Sequence, residues 1–311
     1  MDDIFLYIFL SLSSLLLAVI FLLRPRRNLP PSPPFSLPLI GHLYLIKHPV
    51  HRSFQKLSQK YGHTFSLRFG SRLVVVISSP SAVQECFTKN DIVLANRPLL
   101  ISGKYLEYNH TTMALSPYGE HWRHLRRIST LEVFSSKRLN MFSAIRRDEV
   151  NRLLRKILLS GNEFYRVEFD SMFLDLTSNI LIRMVAGKKY SGNNEADDGQ
   201  GRRFREIVTE ILANGGATNP GDFIPIWNWI DPSGFKKRIK KLGEKSDSLL
   251  QGLVDEIRNR KGGGDSMIHH LLHLQLTQPG NYSDQIIKGL VQVSQNFLVN
   301  FRFVTIKHMN L

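Results

Sequence analysis

At 311 residues the chain can bury a large core, in one big domain or two modest ones, and 42% hydrophobic against 22% charged content is an ordinary globular balance. The charge is not ordinary: 41 Lys and Arg against 26 Asp and Glu leave +15, which points to an anionic membrane surface, an acidic protein or nucleic acid. The single cysteine, Cys86, excludes an internal disulfide framework, and no zinc-type Cys/His spacing or RNP-type aromatic motif supports a metal finger or an RNA-binding module.

The first feature along the chain is an uncharged apolar run over 4–23, roughly 30 Å long as a helix and so about the thickness of a bilayer core. A cleaved signal peptide carries its positive charge before such a run, whereas here Asp2 and Asp3 precede it and Arg24, Arg26 and Arg27 follow. The expectation is an uncleaved membrane anchor over 1–28 with the body on the cytosolic side. No acidic residue stands between Asp3 and Glu85, so the basic excess is concentrated next to that anchor.

Prolines crowd 29–41, which predicts a stiff extended hinge. Phe54, Leu57 and Tyr61 then fall at helical spacing, closed by Gly62. The β-rich runs 64–69 and 72–77 flank Gly70-Ser71 and read as a hairpin, and Ser79-Pro80 opens a second helix. The stretch 99–115 has little periodicity.

Ser116 and Pro117 are suited to cap and open the next helix. In it Trp122 and Arg126 lie four apart, on one face. An indole N–H and a guanidinium are both pure donors, and together they suit a ligand with a flat apolar body and carboxylate oxygens. A core tryptophan beside a solvated arginine is the plainer alternative. Only the first reading requires the pair to face a cavity the size of the ligand.

A long amphipathic helix is expected over 136–159, an apolar one over 169–187 ending in Gly187, a polar loop over 191–201 and a short helix over 204–213. Trp227 and Trp229 sit in an aromatic turn before a very basic helix reaching Arg260. Core packing and bilayer contact are both open to them. Residues 261–264 read as a linker. His269, His270 and His273 lack a carboxylate or cysteine to complete a metal site and read as solvated or capping.

The motif YGxxWRxLRR at 118–127 resembles the haem-propionate helix of microsomal cytochrome P-450 monooxygenases. By that resemblance Trp122 and Arg126 are propionate donors, and so is Arg97 in the plant-like LANRP at 94–98, while Met113, Ala114 and Leu115 contact substrate. Residues 169–187, FDSMFLDLTSNILIRMVAG, resemble a plant subfamily acting on flavonoid-type, phenolic or terpenoid compounds. YSDQIIKGLVQV at 282–293 resembles the start of the family's central helix over the haem. After it, the family's AGxDT, ExxR and FxxGxRxC motifs do not follow, and Cys86 does not match the thiolate loop that ligates iron.

The resemblance implies a mainly α fold with a small β region, P-450-like and truncated, with a single N-terminal transmembrane helix. Its segments are the anchor at 1–28, the hinge at 29–41, the N-terminal part of the P-450 domain at 42–293 and a divergent tail at 294–311. The intact family enzyme uses haem and electrons from an NADPH-dependent reductase to hydroxylate an apolar small molecule at the endoplasmic reticulum membrane. This chain is expected to hold haem poorly, to be inactive alone, and not to bind nucleic acid. An incomplete or mis-spliced gene reading and a genuine short product both account for the departure after Val293. A non-catalytic, membrane-anchored partner of the reductase is the alternative function.

Overall fold

The computed structural model describes residues 2–22, 28–159, 169–189, 195–215, 219–260 and 264–294. The expected tail, most of the 261–264 linker and part of the 191–201 loop lie outside them. Backbone packing divides the chain into Met1–Glu85 and Cys86–Leu311.

In the first unit, α1 (Asp2–Leu22) is a helix whose apolar side chains are uncovered on every side from Ile4 to Leu16. Among the described residues, no helix is long and apolar enough to cross a membrane. The proline-rich segment is extended and also fastened: the Pro31 carbonyl accepts the Ser66 N–H at 2.8 Å and the Pro30 carbonyl accepts the Ser66 hydroxyl at 2.9 Å. Buried His42 locks it further, since its Nδ1 accepts the Arg68 N–H at 2.8 Å while its Nε2 faces the Pro33 carbonyl at 3.1 Å. Burial holds the His42 imidazole below its ordinary pKa, which keeps Nδ1 free to accept.

Next come α2 (Val50–Tyr61) and the antiparallel strands β1 (Thr64–Phe69) and β2 (Arg72–Ile77), in the expected register from Thr64 against Ile77 to Phe69 against Arg72. Phe65 and Leu67 are buried on β1, whereas Leu73 and Val75 on β2 face outward. The next helix, α3 (Pro80–Thr88), leads into the second unit.

That unit is helical. It contains α4 (Asp91–Leu94), α5 (Ile101–Leu106), α6 (Glu120–Ile128), α7 (Ser136–Met141), α8 (Ser143–Leu159), α9 (Phe169–Ala186), α10 (Glu195–Asn214), α11 (Trp227–Ile230), α12 (Phe235–Asn259) and α13 (Met267–Thr277). The start of a further helix, α14, covers 284–294.

On α12 the buried residues Phe235, Ile239, Leu242, Ser246, Leu250, Leu253 and Ile257 recur three or four apart, which makes one continuous inward stripe. Its first half packs with Leu106, Ile207 and Ile211, and its second half with Leu181, Ile268, Leu271 and Ile287. Each fully buried aliphatic side chain here contributes about 1.5–3 kcal/mol. Gly243 is what lets α5 and α12 touch, because a Cβ there would lie 2.3 Å from the Tyr105 carbonyl oxygen.

Three boundaries differ from expectation. The helix with Trp122 starts at Glu120, not at Pro117: the Tyr118 N–H is taken by the Asn96 side chain at 2.9 Å, so 116–119 forms a turn and buried Ser116 caps nothing. The long helix at 136–159 breaks at Phe142, whose ring is buried and whose backbone leaves the helical region. The helix of 204–213 begins already at Glu195, within the expected polar loop.

Candidate functional site

The residues singled out around α6 are held by the loop 107–119. Tyr108, Asn109 and His110 all take left-handed backbone angles, with φ of 48°, 57° and 62°. The fold stabilises this costly run by tying it down on three sides. Tyr108 donates to the Asp247 carboxylate at 3.0 Å, and Lys288 reaches the same carboxylate at 2.5 Å while standing 5.4 Å from the centre of the Tyr108 ring. Gln292 donates to the Leu106 carbonyl at 2.7 Å, and Gln285 to the Thr111 hydroxyl at 2.9 Å. Gly103 leaves room for the returning chain, since a Cβ there would meet His110 and Leu115 at 2.6 Å.

Inside the loop, Thr112 donates to the buried Glu107 carboxylate at 2.6 Å, and the His121 Nε2–H donates to the Thr111 carbonyl at 2.8 Å. Burial pushes the Tyr108 phenol up from its ordinary pKa, and the charge and hydrogen bond of Asp247 push it the same way. Tyr108 therefore stays a neutral donor across the physiological range.

On α6, the half-buried Trp122 gives its indole N–H to the Met113 carbonyl at 3.1 Å. The exposed Arg126 guanidinium lies 5.2 Å from the centre of the Trp122 ring. The Tyr118 ring lies tilted 5.5 Å from that of Trp122, with Arg123 5.8 Å from the Tyr118 ring. The structure thus brings Met113, Trp122 and Arg126 together, as a carbonyl, a ring and a cation. No carboxylate pairs with Arg126 among the described residues, so its donors are free for an anionic ligand. The Trp122 N–H is already taken.

Arg97 is exposed and folds back on the Ala95 carbonyl at 2.6 Å, and its segment is joined to α6 through the bond from Tyr118 to Asn96. Ala114 is exposed and Leu115 half-buried against Gly103. Met113 lines a cavity of about 30 Å³ under α14, room for one water. Among the larger spaces of the second unit, a cleft of about 450 Å³ lies between α5, α12 and α14, and an apolar cavity of about 360 Å³ lies beside α9. Neither is lined by Trp122 or Arg126. The expectation that both side chains face a porphyrin-sized cavity is therefore not met by these spaces.

Sequence reasoning missed the bond from Thr112 to Glu107 and the junction of Tyr108, Asp247 and Lys288, because neither has a local pattern. It also missed the pairing of His270 with Glu132 at 2.7 Å, made by a wide π-type turn over Ser129–Val133 that swings Glu132 toward α13. Among the described residues no cluster of His, Cys, Asp and Glu could hold a metal ion. Cys86 is a free, half-buried cysteine near the end of α3.

Comparison with known proteins settles the family question that this geometry leaves open. The family model described as Cytochrome P450 matches residues 30–293. The chain is 51% identical to cytochrome P450 81Q32 of Catharanthus roseus, over 93% of this chain and 58% of that protein. It is 54% identical to cytochrome P450 81E8 of Medicago truncatula, over 87% and 54%, and 49% identical to an isoflavone 2'-hydroxylase of Glycyrrhiza echinata, over 90% and 58%. It thus spans somewhat more than half the length of these relatives. A solved zebrafish cytochrome P450 with progesterone superposes with a TM-score of 0.61 at 19% identity, over 80% of this chain and 56% of that one, which supports the fold alone.

Proposed function

The chain belongs to the cytochrome P450 family, and from that premise we propose that it is the amino-terminal part of a haem monooxygenase that hydroxylates an apolar aromatic plant metabolite. The single observation that carries the reading is the close match through 30–293, which includes α6 with Trp122 and Arg126. The name of the isoflavone 2'-hydroxylase relative supports a flavonoid-like substrate class, and Met113, Ala114 and Leu115 are the proposed contacts to it.

Haem, when bound in the intact family, supplies the activation of oxygen. In this chain the residues suited to its acidic edge are Arg126, exposed and without a carboxylate partner among the described residues, and Arg97, exposed with one guanidinium N–H on the Ala95 carbonyl. Trp122 positions Arg126 through the stacked ring, and its N–H is held by Met113 in this geometry. Two guanidinium groups are donors of the kind that carboxylate propionates accept. The set does not supply an iron thiolate, since Cys86 stands in α3 without a built site. The chain on its own is therefore proposed to bind haem weakly and not to turn over.

The uncharged run of α1, its Arg24, Arg26 and Arg27 flank and the family support anchorage in the endoplasmic reticulum membrane with the body cytosolic. The exposed Arg123 and Arg127 are proposed to steer an acidic reductase onto α6. The test is the absorption spectrum of the full chain mixed with haem and reduced under carbon monoxide. No thiolate-type Soret band is expected, and its appearance would refute the inactive-alone reading.

A further inference from the structure

Two helix irregularities in the second unit border an apolar cavity that haem and substrate recognition leave without a role. The π-type turn over Ser129–Val133 leads into Phe134, and the break between α7 and α8 falls at buried Phe142. Both rings line the cavity of about 360 Å³ beside α9. Wide turns of this kind are rare in helices and recur at functional sites. This one is pinned, because Glu132 within it meets His270 on α13 at 2.7 Å. On the α9 side Leu181 and Val185 are each 1% exposed, so that wall is fixed by the core and cannot move in to close the space.

The lining states what it would accept. Among the described residues no charged side chain lines the cavity, so a charged guest would lose its hydration without gaining a partner. Met184 and Met267 bring two thioethers to the space that holds the two phenyl rings, a combination that favours a flat aromatic body. Ser294, 4% exposed, adds a hydroxyl from α14. It donates to the Leu290 carbonyl at 2.9 Å and lies 3.7 Å from the Met267 sulfur. A hydroxyl has one proton and two acceptor positions, so with its proton on Leu290 it can still accept a guest O–H. The volume falls at the lower end of the range for small-molecule sites, which suits a guest of about two rings.

We propose that this cavity is a binding site for a small, neutral, hydroxylated aromatic compound, whose rings lie among Phe134, Phe142, Met184 and Met267 and whose O–H donates to the Ser294 hydroxyl. None of the residues proposed to meet haem or substrate lines it. The inference does not rest on the monooxygenase reading, so a chain that fails to bind haem leaves it standing.

The test holds the full chain in lipid nanodiscs and titrates it by calorimetry with 2-naphthol and with naphthalene, using empty discs as the blank. Saturable one-to-one binding of both is expected, with 2-naphthol about fivefold tighter, the size of one neutral hydrogen bond. Ser294→Ala should erase that preference and leave naphthalene binding within about twofold. Met184→Trp, which fills the cavity from a half-buried position on α9, should weaken both probes by more than about tenfold. No saturable heat beyond that of empty discs, a preference that survives in Ser294→Ala, or undiminished binding to a folded Met184→Trp chain would each overturn the proposal. Should the tryptophan variant not fold, the Ser294→Ala comparison decides by itself.

Discussion

The clasp between α12, α13 and α14 and the stretch 87–99 ahead of the loop are built on opposite principles. In the clasp, Arg258 holds Asp284 at 2.6 Å and Asp255 at 2.9 Å, while Gln275 donates to Asp284 at 2.9 Å and to the Tyr282 carbonyl at 2.7 Å. Beneath these lie Ile268, Leu271 and Ile287 with no exposed surface. In the other stretch Phe87 and Val93 are each 78% exposed, and Ile92, Leu94 and Leu99 are also open. One region pairs its polar groups over a buried apolar layer. The other presents apolar surface of the kind that marks a place for further polypeptide or a membrane. Closely packed and open apolar surface therefore lie in different parts of the second unit.

Substitutions should separate the two. Leu271→Ala opens a cavity in the clasp and is expected to cost about 2–5 kcal/mol in urea unfolding, whereas Val93→Ala should stay within about 0.5 kcal/mol. Equal effects would mean that the exposed stretch is packed in solution. Gly243→Ala forces a Cβ against the Tyr105 carbonyl and should cost about 1–3 kcal/mol, read from the same transition.

Asp284→Asn probes the polar half of the clasp and should cost about 1–2 kcal/mol at neutral pH. Burial alone would raise the Asp284 carboxyl, but hydrogen bonds from Gln275, Arg258 and Gln251 outweigh it and hold the pKa below the usual aspartate value. Its stabilisation is thus present above the ordinary aspartate pKa and lost as pH falls through the depressed one. The asparagine variant should show a shallower acid limb in a melting-temperature profile against pH. An unchanged limb would place the acid sensitivity elsewhere.

The comparison also explains what the sequence disclosed. The hairpin, α9, α12 and the start of α14 were legible because period, glycine ends and apolar stripes are local signals. Phe142 breaking α7 from α8, Asn96 taking the Tyr118 N–H, and the left-handed run at 108–110 depend on partners far along the chain, and no local pattern encodes them. At the site, Trp122 and Arg126 were legible as a pair on one face and do stack. That Met113 would accept the indole N–H, and that Arg126 would face solvent, followed from how the loop returns past Gly103. Trp229 was ambiguous in sequence because an aromatic turn suits a core and a membrane equally.

The central claim is that Arg126 on α6 recognises the acidic edge of haem. It is tested most directly by titrating the full chain with haem, following visible absorbance, and comparing Arg126→Ala with Arg123→Ala. Loss of one charge-assisted contact predicts about tenfold weaker binding for Arg126→Ala and less than about twofold change for Arg123→Ala, with both folds intact by circular dichroism. Equal affinities for the two variants would contradict the account.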